Sequence, residues 1–450
     1  MEDSLSGDRS RRVVVRQTVL AFAIVCLGAV RSTGQEDPVA LPAGNLVVLG
    51  MGDGSIFVID TARGETRAEL STDVVPHEVC VSPDGDQAFV MLYGNQTPGH
   101  EVLPLDLGGE NVELGDPIDL GGLARPHGCM SDTGGVWFTS EVARAVAHVD
   151  AETGRIDRVI GHGARGGHML TLDRPRDRVY VTAIYDREVS CLDLQGQGPV
   201  RRCVLEDQAP EGIGLSADGR SILAAHRGVG VLSIVDTDQM TLRSRLEIGG
   251  DPFRILCPRD RPAVVGDPGG SRLVLVDVGE ARVVGEIALP GAPAGIALSP
   301  DQRFLAASLF TMAKVVIVDL ESREVVREFE VGANPDGIFW GAPAGTSPPD
   351  PKPRGRLGIA LAPVGEAERE RLLFEGEGAL LARVEAGSPA EAQGLEVGMI
   401  VVACDEVPVR DPYVFIELMK GRLAGDRLTL DVVDLEGELR TIEIELGGGA

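Results

Sequence analysis

Five residues that can bind a metal or move a proton occupy the same place in five copies of one repeated segment. They are His77, His127, His168, Glu211 and Asp336, each directly after a proline or, for His168, after Gly167. Imidazoles and carboxylates gathered at one level could hold a divalent metal ion and activate a water bound to it. An imidazole beside a carboxylate could also do general acid–base work. The same residues equally suit a polar cap on a solvated channel, with ligand types present but too far apart to share an ion. The two remaining copies carry Phe253 and Ala294 at this place. Glycine-rich phosphate loops, Cys-x-x-Cys pairs and nucleophile-elbow motifs are absent.

The segment that must position these side chains is Pro76-His-Glu-Val-Cys-Val-Ser-Pro-Asp-Gly85 with the strand after it. A short apolar strand runs into a turn in which proline presets φ and Asp-Gly supplies the bend. Further copies begin at Pro126, Gly167, Pro210, Pro252, Pro293 and Pro335, at intervals of 41 to 43 residues from Pro126 onward. A fixed period of this size, made of short strands, marks a β-propeller blade. Each unit reads as four strands: a proline-led inner strand, a second β-rich strand, a third ending in Asp and a charged outer one. The third strands end at Asp60, Asp150, Asp193, Asp236, Asp277 and Asp319. The N-terminal unit lacks an inner strand, and Pro335–Trp340 is an inner strand with nothing after it. Joining the two completes one blade and leaves no open sheet edge there. The spacing therefore predicts a mainly β chain with a seven-bladed β-propeller over 44–341.

Residues 342–354 are rich in proline and read as an extended, semi-rigid linker. A small α+β domain follows over 355–447. Its expected strands are 356–362, 378–384, 397–403, 428–433 and 441–446. Ser388 followed by Pro389 reads as a helix N-cap with proline in the first turn, and Gly394 closes that helix. Asp411-Pro412 opens a second helix that runs to Lys420, with Gly421 as its stop.

Two resemblances follow from these motifs. Pro-His-Glu-Val-Cys-Val-Ser-Pro-Asp-Gly and Pro-Glu-Gly-Ile-Gly-Leu-Ser-Ala-Asp-Gly, with strands ending in Val-Asp, resemble YVTN-type repeats of extracytoplasmic propellers and the related lactonase-like propellers. That resemblance covers about two-thirds of the chain and implies the fold more than any activity. Gly387-Ser-Pro-Ala-Glu-Ala-Gln-Gly-Leu395, with Gly398 after it, resembles PDZ domains of bacterial envelope proteases. Met399 departs from that pattern, which usually has an acidic residue there. The PDZ resemblance implies a peptide groove. Amides around Leu357, Gly358 and Ile359 would hold a terminal carboxylate, and the strand Ile359, Ala360 to Ala362 would pair with the peptide. The helix from Pro412 would form the other wall, with Phe415, Ile416 and Leu418 as contacts for the terminal side chain. Helical spacing lets only one face of that set reach the groove.

Composition narrows the partners. The chain has 450 residues, 43% of them hydrophobic and 25% charged, with a formal net charge of −27. Only Lys314, Lys352 and Lys420 are lysines, and no basic patch lies outside the N-terminus. That excludes general nucleic-acid binding, which needs phosphate neutralisation, and attachment to anionic lipid. Residues 1–35 read as an export signal. Arg9, Arg11, Arg12 and Arg16 precede the twelve apolar residues Val19–Val30, a length that suits a signal peptide and is short for a span. Ser10-Arg-Arg-Val-Val-Val-Arg16 fits a twin-arginine signal. A membrane is a partner only if this segment stays uncleaved.

In an oxidising compartment, Cys191 and Cys203, on consecutive strands, would face each other and form a disulfide, or else pack as two small apolar residues. Cys80, Cys129 and Cys257 read as core, and His162 and His226 as loop or surface residues. The leading expectation is an exported propeller–PDZ binding or scaffold protein with no enzymatic activity, its PDZ domain capturing protein C-termini or extended segments. The alternative is a metal-dependent, lactonase-like hydrolase with its site at the channel mouth. No cofactor follows from the motifs beyond that divalent metal.

Overall fold

A computed structural model describes residues 39–347, 353–419 and 422–448. The expected export signal, the middle of the expected linker, and Lys420 and Gly421, the expected end of the last helix, lie outside the described residues. The chain divides into two compact units.

The first unit is a seven-bladed β-propeller. Six blades are four-stranded antiparallel sheets and the seventh, blade 2, has five strands. Blade 1 is closed by the two ends of the unit. Strand Pro335–Gly341 pairs with Asn45–Gly50, aligning Leu46 with Trp340 and Val48 with Ile338. Asp53 tightens this closure by accepting a hydrogen bond from the Ala333 amide at 2.8 Å. The inner strands of blades 2 to 7 are Pro76–Val81, Pro126–Asp132, Gly167–Asp173, Pro210–Leu215, Ile255–Leu256 and Pro293–Leu298. Blade 6 keeps only two residues of regular inner strand, where Pro258-Arg-Asp-Arg-Pro262 replaces the usual turn.

The repeated turn works as a latch. Ser82, Ser216 and Ser299 donate their hydroxyls to Asp84, Asp218 and Asp301 at 2.5, 2.6 and 2.6 Å. The same three hydroxyls accept from the amides of Gln87, Ser221 and Phe304, each at 2.9 Å. A side chain thus satisfies backbone groups that the tight turn would leave unpaired. Second and third strands are buried almost throughout, as expected for sheets covered on both faces by neighbouring blades. Outer strands such as Leu242–Glu247 alternate half-buried and exposed residues.

The expected disulfide meets an offset register. Cys191 aligns with Arg201, and Cys203 aligns with Val189. The bulge-free hairpin displaces the two cysteines by two positions along the strands, so they are not directly opposed and no disulfide joins them. They pack with Tyr180, Val189 and Leu205 in the core. His162 and His226 correct another expectation, since they are 1% and 0% exposed. The His226 ring bridges the Gln208 carbonyl and the Ser233 hydroxyl, both at 2.9 Å, which explains a polar ring in a core position.

The second unit is α+β. Its sheet runs Ile359–Pro363, Ala379–Val384, Ile400–Cys404, Arg427–Val433, Leu439–Glu445 in spatial order, with a short strand beside the third. Among the described residues, its helices are Glu366–Leu372, Pro389–Ala392 and Pro412–Met419. Ser388 accepts from the Glu391 amide at 3.2 Å, the cap its position suggested. Asp411 caps the last helix, accepting from Tyr413 and Val414 amides at 2.8 and 3.0 Å. The first helix was absent from the sequence reading. Its signal is electrostatic: Glu366 and Glu368 in the first turn, Arg369 and Arg371 in the last.

Candidate functional site

The arc of repeat residues converges on the propeller channel, and small residues set its spacing. The third position of the repeat is glycine in Gly128, Gly212, Gly295 and Gly337. A Cβ at each would collide with the backbone carbonyl of the next blade's arc residue: His168, Phe253, Asp336 and His77 respectively. Hydroxyls on second strands also grip carbonyls of the arc residues. Thr139 donates to His168 O at 2.6 Å, Thr182 to Glu211 O at 2.8 Å and Ser308 to Asp336 O at 2.9 Å. The Pro-x-Gly motif therefore brings inner strands close enough for the x side chains to touch.

They do touch. The rings of His77 and His127 are 4.3 Å apart, and those of His127 and His168 are 3.8 Å apart. His168 is held at both nitrogens: Nδ1 lies 3.0 Å from Glu141 and Nε2 3.2 Å from Glu211. Tyr93 donates its hydroxyl to the other Glu141 oxygen at 2.9 Å. Asp336 stands 3.8 Å from Nε2 of His77. All five predicted residues are thus contiguous, while Ala294 takes no polar part and Phe253 carries the guanidiniums of Arg227 and Arg254 on its ring, at 4.5 and 4.2 Å from the centroid.

Four participants were missed. Glu78 and Arg254 occupy the third repeat position, where four other copies have glycine. Released from the close-packing role, these two long side chains reach into the channel and form a buried ion pair. The signal was present as two departures of opposite charge from a glycine column. Tyr93 and Glu141 come from outside the inner strands. Tyr93 belongs to the extended hairpin of blade 2, Gln87–Gly94 with Pro98–Asp106. Among the described residues, two sets of donors lie within 4.8 Å of one another: His77, Glu78, His127 and His127, Glu141, His168. Neither includes Glu211 or Asp336, which contact His168 and His77 from behind.

Burial and these contacts divide the ionisation states. Burial, with His168, His77 and Arg254 nearby, pushes His127 well below the usual imidazole value, so it is neutral. Burial also works against charge on His168, but hydrogen bonds that it donates to Glu141 and Glu211 outweigh it and raise its pKa. Burial would raise Glu78 too; Arg254 and His77 overcome that and lower it. Asp336 goes the other way, burial raising its pKa against the pull of His77 and Arg254. Burial and the Glu141 charge push the Tyr93 phenol up to about 12. A cavity of about 230 Å³ borders Glu78 and Arg254 and runs along the inner strands past Met130, Leu170, Ile213 and Ile338.

The residues expected to line a peptide groove separate into two groups. Leu357 and Phe415 are each 3% exposed, and their side chains belong to the core of the second unit; the role expected of Leu357 is its backbone amide's, whereas the Phe415 side chain packs inward. Gly358 has φ +77°, and a Cβ there would collide with Ser388, so only glycine fits this turn. Ile359 and Ala360 are half-buried on the strand that ends the sheet, Leu418 is half-buried beside the core, and Ile416 is 51% exposed. Strand Ile359–Pro363 pairs on one side with Ala379–Val384. Among the described residues no strand pairs with its other side, and helix Pro412–Met419 packs beside it.

No family model matches the chain. It is 24% identical over 225 residues to Antigen Lp49 of Leptospira interrogans, covering 45% of this chain and 49% of that protein. It is 33% identical over 95 residues to a probable periplasmic serine endoprotease DegP-like of Rhizobium meliloti, covering 21% of this chain and 19% of that one. The chain thus spans about half the length of the first relative and about a fifth of the second. Among solved structures it resembles the periplasmic gluconolactonase PpgL of Pseudomonas aeruginosa, with TM-score 0.55, 15% identity and coverage of 67% and 99%. It also resembles a functionally unknown protein from Desulfotomaculum acetoxidans, with TM-score 0.56, 11% identity and coverage of 67% and 100%. These structural likenesses establish the propeller fold, and nothing narrower.

Proposed function

We propose that this is an exported binding protein whose second unit is a PDZ domain that captures protein C-termini or extended segments. The propeller serves as its rigid platform. The observation that carries the reading is the open edge of strand Ile359–Pro363 beside helix Pro412–Met419. An extended peptide can add there as a further strand, its backbone satisfying the edge and its side chains entering between strand and helix. The Leu357 and Gly358 carbonyls are already engaged by the amides of Ala390 and Glu385, at 3.1 and 2.8 Å, which fixes the turn that would present amides to a terminal carboxylate. Similarity to a DegP-like protein called periplasmic supports export, as do the N-terminal arginines and apolar run. Fluorescence anisotropy of labelled C-terminal peptides with the full chain tests this. Peptides ending in an apolar residue bind, amidating their C-terminus weakens them at least about tenfold, which corresponds to 1.4 kcal/mol, and Gly358→Val abolishes binding. No binding by any peptide overturns the reading.

A second reading is favoured by the channel itself: a hydrolase acting on esters or lactones, as the name of the gluconolactonase with this fold suggests. Neutral His127 could take a proton from water as it attacks an acyl carbon. Asp336, the carboxyl most inclined to stay protonated, could supply one to the leaving alkoxide, so that water adds across the acyl–oxygen bond. Lactone hydrolysis that falls about 100-fold or more in both His127→Ala and Asp336→Asn supports it. Absence of turnover on ester and lactone panels removes it.

A further inference from the structure

We propose that His77, Glu78 and His127 form a binding site for a divalent cation of the zinc class at the charged end of the propeller channel. Four of the buried polar atoms that lack a hydrogen-bond partner cluster here: His77 Nδ1, His127 Nδ1, Arg254 Nη1 and Asp336 Oδ1. Burying such atoms unpaired is costly, so their clustering points to a ligand. His127 is 1% exposed and has no other use for Nδ1. Two imidazoles and a carboxylate are a donor set that zinc accepts, leaving a fourth position open.

The distances fit. His77 Nδ1 lies 3.5 Å from Glu78 Oε1. Donors bonded at 2.0–2.2 Å to a tetrahedral centre are about 3.4 Å apart. The His127 donor is within 4.8 Å of both, so the set closes by side-chain rotation. Behind it, Asp336 faces Nε2 of His77 at 3.8 Å, in the place of a carboxylate that orients a metal-bound imidazole.

Arg254 explains how the site can stay stable when empty. It holds Glu78, and its same Nη2 atom is 3.8 Å from the unpartnered Oδ1 of Asp336. An arriving cation takes Glu78, and Arg254 moves the short distance to Asp336. The other candidate set is disfavoured because both nitrogens of His168 are already committed, to Glu141 and Glu211. This site stands whether or not the channel turns over a substrate, and its test needs no activity.

The test is titration of the tag-free, chelator-treated full chain with Zn²⁺ by calorimetry, and with Co²⁺ by visible absorption. One ion per chain is expected, with the intense ligand-field bands of a four-coordinate Co²⁺ site. His77→Ala, His127→Ala and Glu78→Gln each weaken binding by about 100-fold or more, and Asp336→Asn by about 10–100-fold. His168→Ala binds no more weakly than wild type. Thermal unfolding provides a control: Zn²⁺ raises the midpoint of the wild type and of His168→Ala, and leaves that of a folded Glu78→Gln unchanged. A wild type without stoichiometric binding overturns the proposal, as does loss of the ion in His168→Ala with retention in His77→Ala.

Discussion

Replacing Glu78 with alanine is expected to destabilise the propeller by about 3–5 kcal/mol. The side chains of Glu78 and Arg254 are 10% and 9% exposed, so the variant leaves a guanidinium in the channel without its partner. Asp336, 3.8 Å away, offers only partial replacement and places the expected loss at the lower end of that range. The cost comes from the orphaned charge and not from the strength of the pair. Removing both charges in Glu78→Leu/Arg254→Met should therefore recover most of the loss and can exceed the wild type. Trp137 and Trp340 are the chain's two tryptophans and both lie in the propeller, so denaturant unfolding followed by their fluorescence reads this unit. A single variant within about 0.5 kcal/mol of wild type, the range of ordinary surface substitutions, would show that the pair is open to water.

The second large effect is on acid stability, through His162. Burial, with Arg202 and Arg144 nearby, lowers its pKa to about 4. The Ala164 amide donates to Nδ1 at 3.2 Å, so a proton there would face another donor. The unfolded chain takes that proton near pH 6.5 and the folded chain does not. Stability is therefore full above about pH 6.5 and falls as the pH drops toward 4. The loss is about 1.4 kcal/mol per unit and about 3 kcal/mol in all. His127, lowered for similar reasons, adds a loss of the same sign. His168, raised by its two carboxylates, contributes in the opposite sense: its stabilisation is complete below pH 6.5 and fades as the pH rises through its folded value. The difference between wild type and His162→Asn isolates the first term, since the asparagine oxygen can still accept from Ala164. Parallel stability curves for the two proteins between pH 7 and 4 would contradict it.

The propeller was legible because its signal is repeated. Seven copies of one inner strand, six of them proline-led and three running into a Ser-x-Asp turn, fix blade number, and a partial unit at each end fixes the closure at Asn45–Gly50 and Pro335–Gly341. The arc was legible for the same reason, since His77, His127, His168, Glu211 and Asp336 share one column. What escaped lay outside that column. Glu78 and Arg254 sit one residue further, where strand alternation alone would send them away from their neighbours, and only the glycine pattern marks the position as facing the next blade. Glu141 follows a second strand, and its role depends on a contact with His168 that no local spacing encodes. The cysteine pairing failed by register: loop length was read as placing Cys191 against Cys203, and the hairpin places Arg201 there. Buried His162 and His226 were missed because polarity predicts exposure only when no partner satisfies the ring. In the second unit, the Phe415 side chain fell on the core side of a helix that packs beside the open strand.

Hydrogen exchange of the full chain, with and without a C-terminal peptide that binds, tests the account most directly. The amides of residues 359–362 gain protection on peptide addition if the peptide pairs with this edge, and the inner strands of the propeller do not change. Protection confined to the propeller, with exchange at Ile359–Pro363 unaltered, would contradict peptide capture by the second unit.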